Sequence, residues 1–438
     1  MIKEYDNYKN SNIEWIGIIP EHWIISKAKN ISSFRMGQTI TKEELIDDGK
    51  YPVYSATEGD HYFGRINDPI FLLKEGDIVI PARGNSIGYI AFVFEKSVST
   101  QTTIANFIDK SKINSKFLYY YYRGHRKELF FYDNTAIPQI TVEQVKNNPV
   151  LLPSIVEQSQ IANYLDHQTA LIDEIINRKE KQIELLKEKR KAIINELVTK
   201  GLDTNALMKD SGIEWLGEIP EHWNTIKLKY LIDALESGVS VNSEGSPIDF
   251  KTDEIGVLKT SCVFGYCFNP HENKKVVDEE ISRVKCPVRA NSIIISRMNT
   301  PELVGASGFV DKNHENLFLP DRLWQTVFKE DIKFDVEFIS YVLISETYKE
   351  LYETLATGTS PSMKNISQSS ILEIPIPELP LEEQVSIKNT IKSKKRDIER
   401  IIELQIESVD KLREYRQSII TEAVTGKIDV RDWHPNNA

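Results

Sequence analysis

The sequence predicts a mixed α/β fold, present in two collinear copies that each end in a long helix. The string IEWIGIIPEHW at residues 13–23 returns as IEWLGEIPEHW at residues 213–223, with nine of its eleven positions unchanged. LLKEKRKAIINELVTKGLD at 185–203 resembles KLREYRQSIITEAVTGKID at 411–429. The offset grows from 213 − 13 = 200 to 411 − 185 = 226, which indicates a tandem duplication with small insertions in the second copy.

The globular part of each copy is predicted to contain strands, turns and a helix. PIFLLKEGDIVIPARGNSIGYIAFVF at 69–94 has short apolar runs separated by glycine-containing turns, which indicate strands. NSIIISRMNTPELVGASGFV at 291–310 shows the same alternation. The segments 117–132 and 337–355 are helix candidates. The first of them contains the run Tyr119–Tyr122, which we assign to the core and its rim rather than to base stacking.

A long helix is predicted to follow the globular part of each copy. Ser154 and Glu157 have the spacing of a capping box. Apolar or seam positions then recur at 161, 165, 168, 172, 175, 179, 183, 186, 190, 193 and 197, which is 36 residues in ten steps, or 3.6 residues per step. Positions 387 to 423 repeat this spacing. A period of 3.6 residues is that of an α-helix.

The two long helices are expected to bury their apolar stripes against each other as an antiparallel coiled coil. The predicted seam includes Ile175 and Ile401, and glycines that terminate helices stand at Gly201 and Gly426. The alternative is two separate helices, each packed on its own globular part.

These patterns divide the chain into four segments related as a pseudo-twofold tandem repeat. Residues 1–153 form the first globular domain and 154–203 the first long helix. Residues 204–379 form the second globular domain, and 380–438 form the second long helix with a C-terminal tail.

Composition indicates a soluble cytoplasmic protein. The net charge is −11, and the sequence contains no apolar run long enough for a membrane span and no N-terminal signal peptide. The three cysteines, Cys262, Cys267 and Cys286, lack histidine partners at metal-binding spacing, so they indicate neither a disulfide framework nor a zinc site.

The common motifs of catalysis are missing from the sequence. It contains no phosphate-binding G-x-x-x-x-G-K-[ST] loop, no G-x-G-x-x-G after a strand and no H-E-x-x-H. The Asp/Asn-Pro-Pro-aromatic motif of adenine methyltransferases is absent as well. His22 and His222 recur only because the opening string recurs, and we interpret them as local hydrogen-bonding residues. A duplicated chain of this kind indicates binding rather than catalysis.

The order of the duplicated strings resembles that of the specificity subunit of type I restriction–modification systems. The resemblance covers essentially the full length, although the first long helix opens with SIVEQ where the family pattern is PLEEQ. The strings that carry it are EWIGIIPEHW and EWLGEIPEHW, GDIVIPARGNSIG and SIIISRMNTPELVG, LPSIVEQSQIANYLD and IPELPLEEQVSIKNTI, and the two helix endings quoted above.

The resemblance implies two target-recognition domains held apart by two antiparallel helices, each domain reading one half of a bipartite, asymmetric DNA site. It implies double-stranded DNA, two adenine-methyltransferase subunits and motor–nuclease subunits as partners. No cofactor is expected in this chain, because S-adenosylmethionine, ATP and Mg²⁺ would be bound by the partner subunits.

Local clusters must supply the DNA contacts, because neither domain is basic. Residues 24–150 carry 16 Lys and Arg against 14 Asp and Glu, and residues 224–374 carry 16 against 22. Phosphate contacts need Lys and Arg, and base readout needs side chains that match base edges, such as Arg for guanine and Asn for adenine. The candidate DNA-binding residues are Arg83, Asn85, Gln101, Arg65, Arg297, Asn299, Arg322, Lys259 and Lys364.

The strongest candidates are two Arg-x-Asn strings at predicted strand ends. Arg83-Gly84-Asn85 aligns with Arg297-Met298-Asn299 at an offset of 214, and Gln101 aligns with Arg322 at 221. We also weighed a turn in which the asparagine only bonds the local backbone. The basic stretch 178–191, with seven positive and three negative residues, indicates a solvated helix face or a contact with phosphates or a partner helix.

Two other functions compete with DNA recognition at the level of the sequence. A non-enzymatic protein–protein scaffold, with two peptide- or protein-binding domains on a coiled coil, is favoured by the missing positive charge. An enzyme with an unrecognised site has no supporting constellation. The recognised bases and the spacer between half-sites do not follow from the sequence.

Overall fold

The computed structural model describes residues 3–57, 61–132, 138–265, 267–360 and 363–435. The chain forms two compact units. Unit 1 contains residues 1–181 and 405–438, and unit 2 contains residues 182–404. Each unit combines small sheets and short helices with one segment from each of two long helices. The predicted mixed α/β class with long helices is therefore confirmed.

Unit 1 is built around a four-stranded antiparallel sheet in the order β4-β10-β7-β8. The central strand β7 is buried along its whole length, as its sequence IVIP requires. A second sheet has the order β6-β5-β9, and the pairs β1-β2 and β11-β3 complete the unit. The strands are β1 Tyr8–Asn10, β2 Ile18–Pro20, β3 Ile24–Lys27, β4 Ser32–Met36, β5 Tyr51–Tyr54, β6 Gly64–Ile66, β7 Ile78–Pro81, β8 Ala91–Phe92, β9 Val98–Ser99, β10 Thr103–Ile108 and β11 Pro149–Leu152. The helices are α1 Ser115–Gly124, α2 Arg126–Leu129, α3 Val142–Asn147 and the long α4 Ile155–Lys200, which continues into unit 2.

Unit 2 repeats this plan with an antiparallel sheet in the order β15-β23-β19-β21. Its central strand β19, SIIIS, is again fully buried. Sheets β17-β16-β22-β18 and β20-β25-β24 and the pairs β12-β13 and β14-β26 surround it. The strands are β12 Met208–Asp210, β13 Glu218–Pro220, β14 Asn224–Lys227, β15 Ile232–Ser237, β16 Gly256–Leu258, β17 Asn273–Lys275, β18 Pro287–Val288, β19 Ser292–Ser296, β20 Met298–Asn299, β21 Ser307–Val310, β22 His314–Phe318, β23 Leu323–Phe328, β24 Thr357–Ser360, β25 Met363–Asn365 and β26 Pro375–Glu378. The helices are α5 Val336–Leu343, α6 Glu346–Leu355, α7 Gln368–Leu372 and the long α8 Leu381–Val424, which continues into unit 1.

The helix predicted over 117–132 is interrupted after Gly124. The carbonyl oxygen of Gly124 accepts hydrogen bonds from Gln417 Nε2 at 3.1 Å and Thr421 Oγ1 at 3.2 Å, both on α8. These side chains satisfy a helix-end carbonyl that further helical turns would otherwise cover. Tyr120, Tyr121 and Tyr122 are buried in α1, which confirms their assignment to the core.

The long helices pack antiparallel within each unit. In unit 1, Arg416 donates to Asp173 at 3.0 Å and Arg413 donates to Glu180 at 2.8 Å. The residue numbers along α8 therefore fall as those along α4 rise, which is the antiparallel arrangement. In unit 2, Arg190 pairs with Glu399 at 3.3 Å. Arg190 and Arg416, like Asp173 and Glu399, differ by 226 positions, so both units use equivalent ion pairs between the helices.

The predicted seam is wrong at position 175 of the first helix and at positions 394 and 401 of the second, which are exposed. Ile175 and Ile401 are each 43% exposed, whereas the neighbouring Ile176 is 8% exposed. A mean spacing of 3.6 residues fixes how many positions face inward, but consecutive residues lie ~100° apart on the helix. The spacing therefore could not decide which of two adjacent isoleucines is buried.

The repeated opening string is held by a carboxylate near the start of each long helix. Glu157 Oε1 accepts hydrogen bonds from Tyr5 Oη at 2.7 Å and Trp23 Nε1 at 3.0 Å, and Oε2 lies 2.9 Å from His22 Nε2. Ser154 Oγ accepts from the Glu157 amide at 3.2 Å. The predicted capping box is thus only half formed, because the Glu157 side chain bonds the opening string instead.

Glu383 makes the equivalent contacts in unit 2. It accepts from Trp223 Nε1 at 3.1 Å and lies 2.9 Å from His222 Nε2. Both histidines therefore contact a carboxylate, but the prediction of a local partner was wrong, because each glutamate lies more than a hundred residues along the chain. The Glu157 side chain is 4% exposed and the Glu383 side chain 25% exposed.

The glutamine that follows each of these glutamates ties the long helix to a second element. Gln158 Oε1 accepts from the Asn114 amide at 2.7 Å, just before α1. Gln384 Oε1 accepts from the Asp335 amide at 2.9 Å, just before α5. Asn114 and Asp335 are also the N-caps of those helices. The Glu-Gln pair therefore joins the opening string, the long helix and a short helix in each unit.

Glu157→Ala is expected to destabilise the protein more than Glu383→Ala. The first substitution leaves the buried donors of Tyr5 and Trp23 without an acceptor, at a cost of about 1–3 kcal/mol for each buried donor. Glu383 is more exposed, so water can replace it at Trp223. Urea unfolding followed by tryptophan fluorescence measures both. Equal losses in the two variants would contradict the importance of burial at Glu157.

Stability is expected to fall as the pH drops from about 6.5 to about 4. His125 is buried against Trp15 and Tyr121, and burial, together with nearby Lys427, lowers its pKa from 6.5 to about 4. In this window the unfolded chain binds a proton that the folded chain does not. The loss reaches about 3 kcal/mol below pH 4. His125→Gln should flatten this part of the pH dependence of the unfolding free energy, whereas the exposed control His61→Gln should not.

Candidate nucleic-acid interface

In unit 1 the turn after β7 presents two of the predicted residues to solvent. Arg83 and Asn85 are both exposed, and no hydrogen bond links either side chain to another described residue. Gly84 between them adopts φ +75°, and its amide donates to the Pro138 carbonyl at 3.0 Å. The turn is therefore anchored through its backbone while its two polar side chains remain available to a ligand.

Two other predicted residues of unit 1 already have partners. Arg65 donates to the carbonyl oxygens of Gly49 at 2.5 Å and Lys50 at 3.2 Å, so its guanidinium holds the turn before β5. Gln101 is half-buried, and its Oε1 accepts from the Ile40 amide at 3.3 Å. Gln101 keeps its amide donors for other contacts.

Unit 2 brings four of the predicted residues together at the end of its main sheet. The Arg297 amide donates to the Arg322 carbonyl at 3.1 Å. Asn299 on β20 lies opposite Lys364 on β25. Arg322 is exposed, and the Lys364 side chain donates to the Gly358 carbonyl at 3.4 Å and to no other described residue. This group is the unit 2 counterpart of the Arg83 turn.

Among the described residues, Lys259 makes no contact with Arg297, Asn299, Arg322 or Lys364. It lies between β16 and a short 3-10 turn, and its ammonium is 3.7 Å from the Glu272 carboxylate. That ion pair leaves Lys259 less available to a phosphate than was predicted.

The alignment of Arg83 with Arg297 is wrong by one residue. The Ala82 amide donates to the Thr102 carbonyl at 2.9 Å, where the Arg297 amide donates to Arg322. Ala82, not Arg83, is therefore the counterpart of Arg297, at an offset of 215. Thr102, not Gln101, is likewise the counterpart of Arg322, at an offset of 220.

The corrected register changes the environment expected for each arginine. Arg83 is exposed, and its counterpart is Met298. Arg297 is half-buried, with its guanidinium carbon 5.6 Å from the centroid of the Trp324 ring. Successive residues of a strand face opposite sides, which explains why a shift of one residue separates an exposed arginine from a packed one.

Asn299 also differs from Asn85. Its Nδ2 donates to Ser296 Oγ at 3.3 Å, and its Oδ1 accepts from the Thr300 amide at 2.9 Å. Asn299 therefore bonds its own turn, which is the alternative to base contact given for the two asparagines. Asn85 makes no such bond with a described residue.

Sequence reasoning missed two amide residues beside these turns. The Ile140 amide donates to Ala82 O and the Ile366 amide to Arg297 O, both at 3.0 Å, so the preceding residues Gln139 and Asn365 are equivalent at an offset of 226. The equivalence could have been found in the sequence from the hydroxyl residue that caps the short helix after each of these turns. Thr141 accepts from the Gln144 amide and Ser367 from the Ser370 amide, again 226 positions apart.

The basic stretch 178–191 is largely neutralised within the protein. Arg178 pairs with Glu174, Lys187 with Glu184 and Lys191 with Glu188 along α4. Arg190 pairs with Glu399, and Lys179 Nζ donates to Gln405 Oε1 at 2.8 Å. These contacts favour the solvated helix face.

The described residues hold no group of His, Cys, Asp or Glu that could bind a metal ion. The three cysteines are free thiols, and burial raises the pKa of Cys286 to about 11 and raises that of Cys262 further. Neither of these two thiols is activated as a nucleophile. In the described part of the chain, no helix carries an apolar stretch sufficient to span a lipid bilayer.

Comparison with known proteins identifies the relatives of the chain. A family model for the type I restriction modification DNA specificity domain matches residues 20–185. The specificity subunit of the type I restriction enzyme MjaVIII of Methanocaldococcus jannaschii is 29% identical, with 97% of this chain and 98% of that protein aligned. The putative MjaX specificity subunit of the same organism is 27% identical, with 97% of each protein aligned.

A solved structure has the same fold as this chain. It comes from a study of complex assembly and conformational transition of the type I R-M system, and it aligns with a TM-score of 0.65 at 14% identity. The alignment covers 93% of this chain and 98% of that chain.

Proposed function

The chain belongs to the specificity subunits of type I restriction–modification systems, and from that premise we propose that each of its two globular parts reads a different half of a bipartite DNA site. The chain recognises DNA sequence and is a non-catalytic subunit that assembles with other subunits of the system. We propose that residues 1–153 and 204–379 are the two recognition domains.

The observation that supports two different half-sites is the divergence of equivalent positions. Both units present the same backbone, a strand end bonded to two neighbouring segments. On that backbone Arg83 corresponds to Met298, and Thr102 corresponds to Arg322. Arginine can bond guanine with two hydrogen bonds, whereas methionine makes only apolar contacts such as those with the thymine methyl group. Two domains with the same backbone but different side chains at equivalent positions would read two different half-sites, as an asymmetric DNA sequence requires.

We propose that the partners are two adenine-methyltransferase subunits and motor–nuclease subunits, working in the cytoplasm. S-adenosylmethionine, ATP and Mg²⁺ would be bound by those subunits. Large aliphatic side chains that remain exposed on the long helices support a protein contact there. They include Leu171, Ile175, Leu185, Ile401, Leu404 and Ile406. The scaffold hypothesis is not favoured, because the relatives are named as specificity subunits.

The function is tested by expressing the chain with its methyltransferase subunit and mapping methylated adenines by long-read sequencing. We expect one bipartite, asymmetric motif with an unspecified spacer. Methylation without a bipartite motif, or the same motif when the chain is omitted, would contradict the proposal.

Arg83→Ala is expected to relax one half of the motif and leave the other half unchanged. The exposed Arg83 would lose about 1–3 kcal/mol of discrimination if it bonds guanine with two hydrogen bonds. Arg297→Ala should affect the opposite half, and its effect includes lost packing on Trp324. The control is Arg178→Ala, an exposed helix cation paired with Glu174. Relaxation of both halves by Arg83→Ala would refute its assignment.

The length of the long helices is expected to set the spacer between the half-sites, since each helix contributes residues to both units. Leu197 and Val198 lie in the core of unit 2, so an insertion near Leu197–Thr199 would disturb that core. Four residues added after Lys181 and after Leu404 avoid it.

This insertion lengthens each helix by ~6 Å, or about two base pairs of B-DNA, and it nearly preserves the helical phase. Methylome mapping should show unchanged half-sites and a spacer longer by one or two base pairs. The control replaces four residues at the same places without changing the length. An active insertion variant with the original spacer would show that the helices do not set the distance.

A further inference from the structure

A cationic cleft lies in unit 1 beside the Arg83 turn. It has a volume of about 300 Å³ and is lined by Tyr89, Tyr119, Arg123, Arg126 and Gln417, together with Gly88 and Ile90. None of these described lining residues is acidic. Two arginines therefore share one cleft whose described walls carry no carboxylate.

Both arginines are held in place by uncharged groups. Arg126 Nε donates to the Ile87 carbonyl at 2.9 Å, and its guanidinium carbon lies 3.3 Å from the centroid of the Tyr89 ring. Arg123 Nη1 donates to Tyr119 Oη at 2.7 Å. A guanidinium has five N–H donors, so each arginine keeps donors for a ligand.

Four of the seven other arginines of the same unit are paired with carboxylates. Arg178, Arg413, Arg416 and Arg431 each form an ion pair. No described carboxylate forms one with Arg123 or Arg126. In a chain of net charge −11, two adjacent arginines whose partners among the described residues are all neutral are well suited to bind an anion.

Gly88 allows the turn that contains Arg83 to pack closely against the cleft. Gly88 has φ +72°, and a Cβ atom there would lie 2.9 Å from Arg126 Cγ and 3.0 Å from Phe130 Cδ2. The Gly88 amide donates to the Pro81 carbonyl at 3.1 Å, which closes the turn that contains Arg83. The segment that carries Arg83 therefore packs directly on Arg126.

Unit 2 has a cleft at the equivalent place with different chemistry. The Gly305 amide donates to Ser296 O as Gly88 donates to Pro81 O, and Gly305 has φ +80°. This cleft of about 220 Å³ is mainly apolar, with Ala306, Leu343, Ile344 and Tyr352 on its walls. Its cation is Lys349, and Glu302 also lines it. The fold therefore does not require two arginines at this place.

We propose that the Arg123–Arg126 cleft binds a phosphate group of the DNA backbone next to the half-site read by unit 1. This inference rests on the proposed DNA recognition and adds a sequence-independent contact to it. Arginine suits phosphate because its planar fork of N–H donors matches two phosphate oxygens. The position beside the Arg83 turn selects backbone phosphate, since a side chain that reads a base edge stands close to the flanking phosphates.

The test measures how DNA affinity depends on salt in the full chain assembled with its methyltransferase subunits. Wild type and the double variant Arg123→Gln/Arg126→Gln are titrated with a labelled random-sequence duplex over a salt series. Loss of one phosphate contact should reduce the slope of log K against log salt by about 0.9. Arg126→Lys with Arg123 intact keeps the charge and should retain most of the slope. Lys349→Ala, at the equivalent cleft of unit 2, should leave it unchanged.

Three results would overturn the inference. The first is an unchanged slope in a double variant that melts at the wild-type temperature. The second is loss of the methyltransferase subunits with an unchanged slope, which would make the cleft a protein contact. The third is binding of inorganic phosphate by wild type with an unchanged slope in the variants, which would make it a free-anion site. If the double variant does not fold, the slope of the single variant Arg123→Gln decides the question, with Arg126→Lys as the charge-retaining control.

Failure of the proposed function gives a different result. Methylome mapping of the double variant should show the wild-type motif, because a phosphate contact carries no sequence information. Absence of a bipartite motif in the wild type would contradict DNA recognition by this chain, whatever the slopes are. A wild-type motif with equal slopes would contradict only the phosphate site.

Discussion

The structure depends on a carboxylate near the start of each long helix, which is buried at Glu157 and partly exposed at Glu383. Glu157 holds the tryptophan, histidine and tyrosine of the opening segment, and Gln158 next to it holds the start of α1. A buried carboxylate is costly unless its oxygens are bonded, so the donors and the acceptor require each other. The same pair at Glu383 and Gln384 organises unit 2. The reappearance of the opening string therefore reflects one structural joint used twice.

Around that joint the two copies are free to diverge. The strand ends, the turns after them and the clefts beside the glycine turns occupy the same places in both units, yet Arg83 stands where unit 2 has Met298. The cleft with Arg123 and Arg126 is replaced by an apolar cleft around Leu343. A scaffold fixed by buried contacts can therefore present different chemistry at its edge without changing its fold.

Sequence patterns predicted the elements whose signals are long. The duplication and the two long helices followed from repeats and periodicity. The register of the strand ends did not follow, because two arginines near equivalent positions aligned by chance and a shift of one residue moves a side chain to the other face of a strand. Likewise, helical periodicity could not distinguish Ile175 from Ile176. The carboxylate of Glu157 was assigned to a local cap because its partners Tyr5 and Trp23 lie more than a hundred residues away.

The composition of unit 1 has a consequence for the order in which the chain folds during synthesis. Its core includes Ile419, Ile420, Ala423 and Val424, which leave the ribosome after all of unit 2, residues 182–404. Part of the apolar surface of the N-terminal sheets therefore stays uncovered until the end of α8 has been synthesised. This differs from the usual order, in which the domain made first folds first. Unit 2 is continuous in sequence and can close while translation proceeds. Premature termination before residue 405 would leave a folded second unit attached to an incomplete first one, a species prone to aggregation.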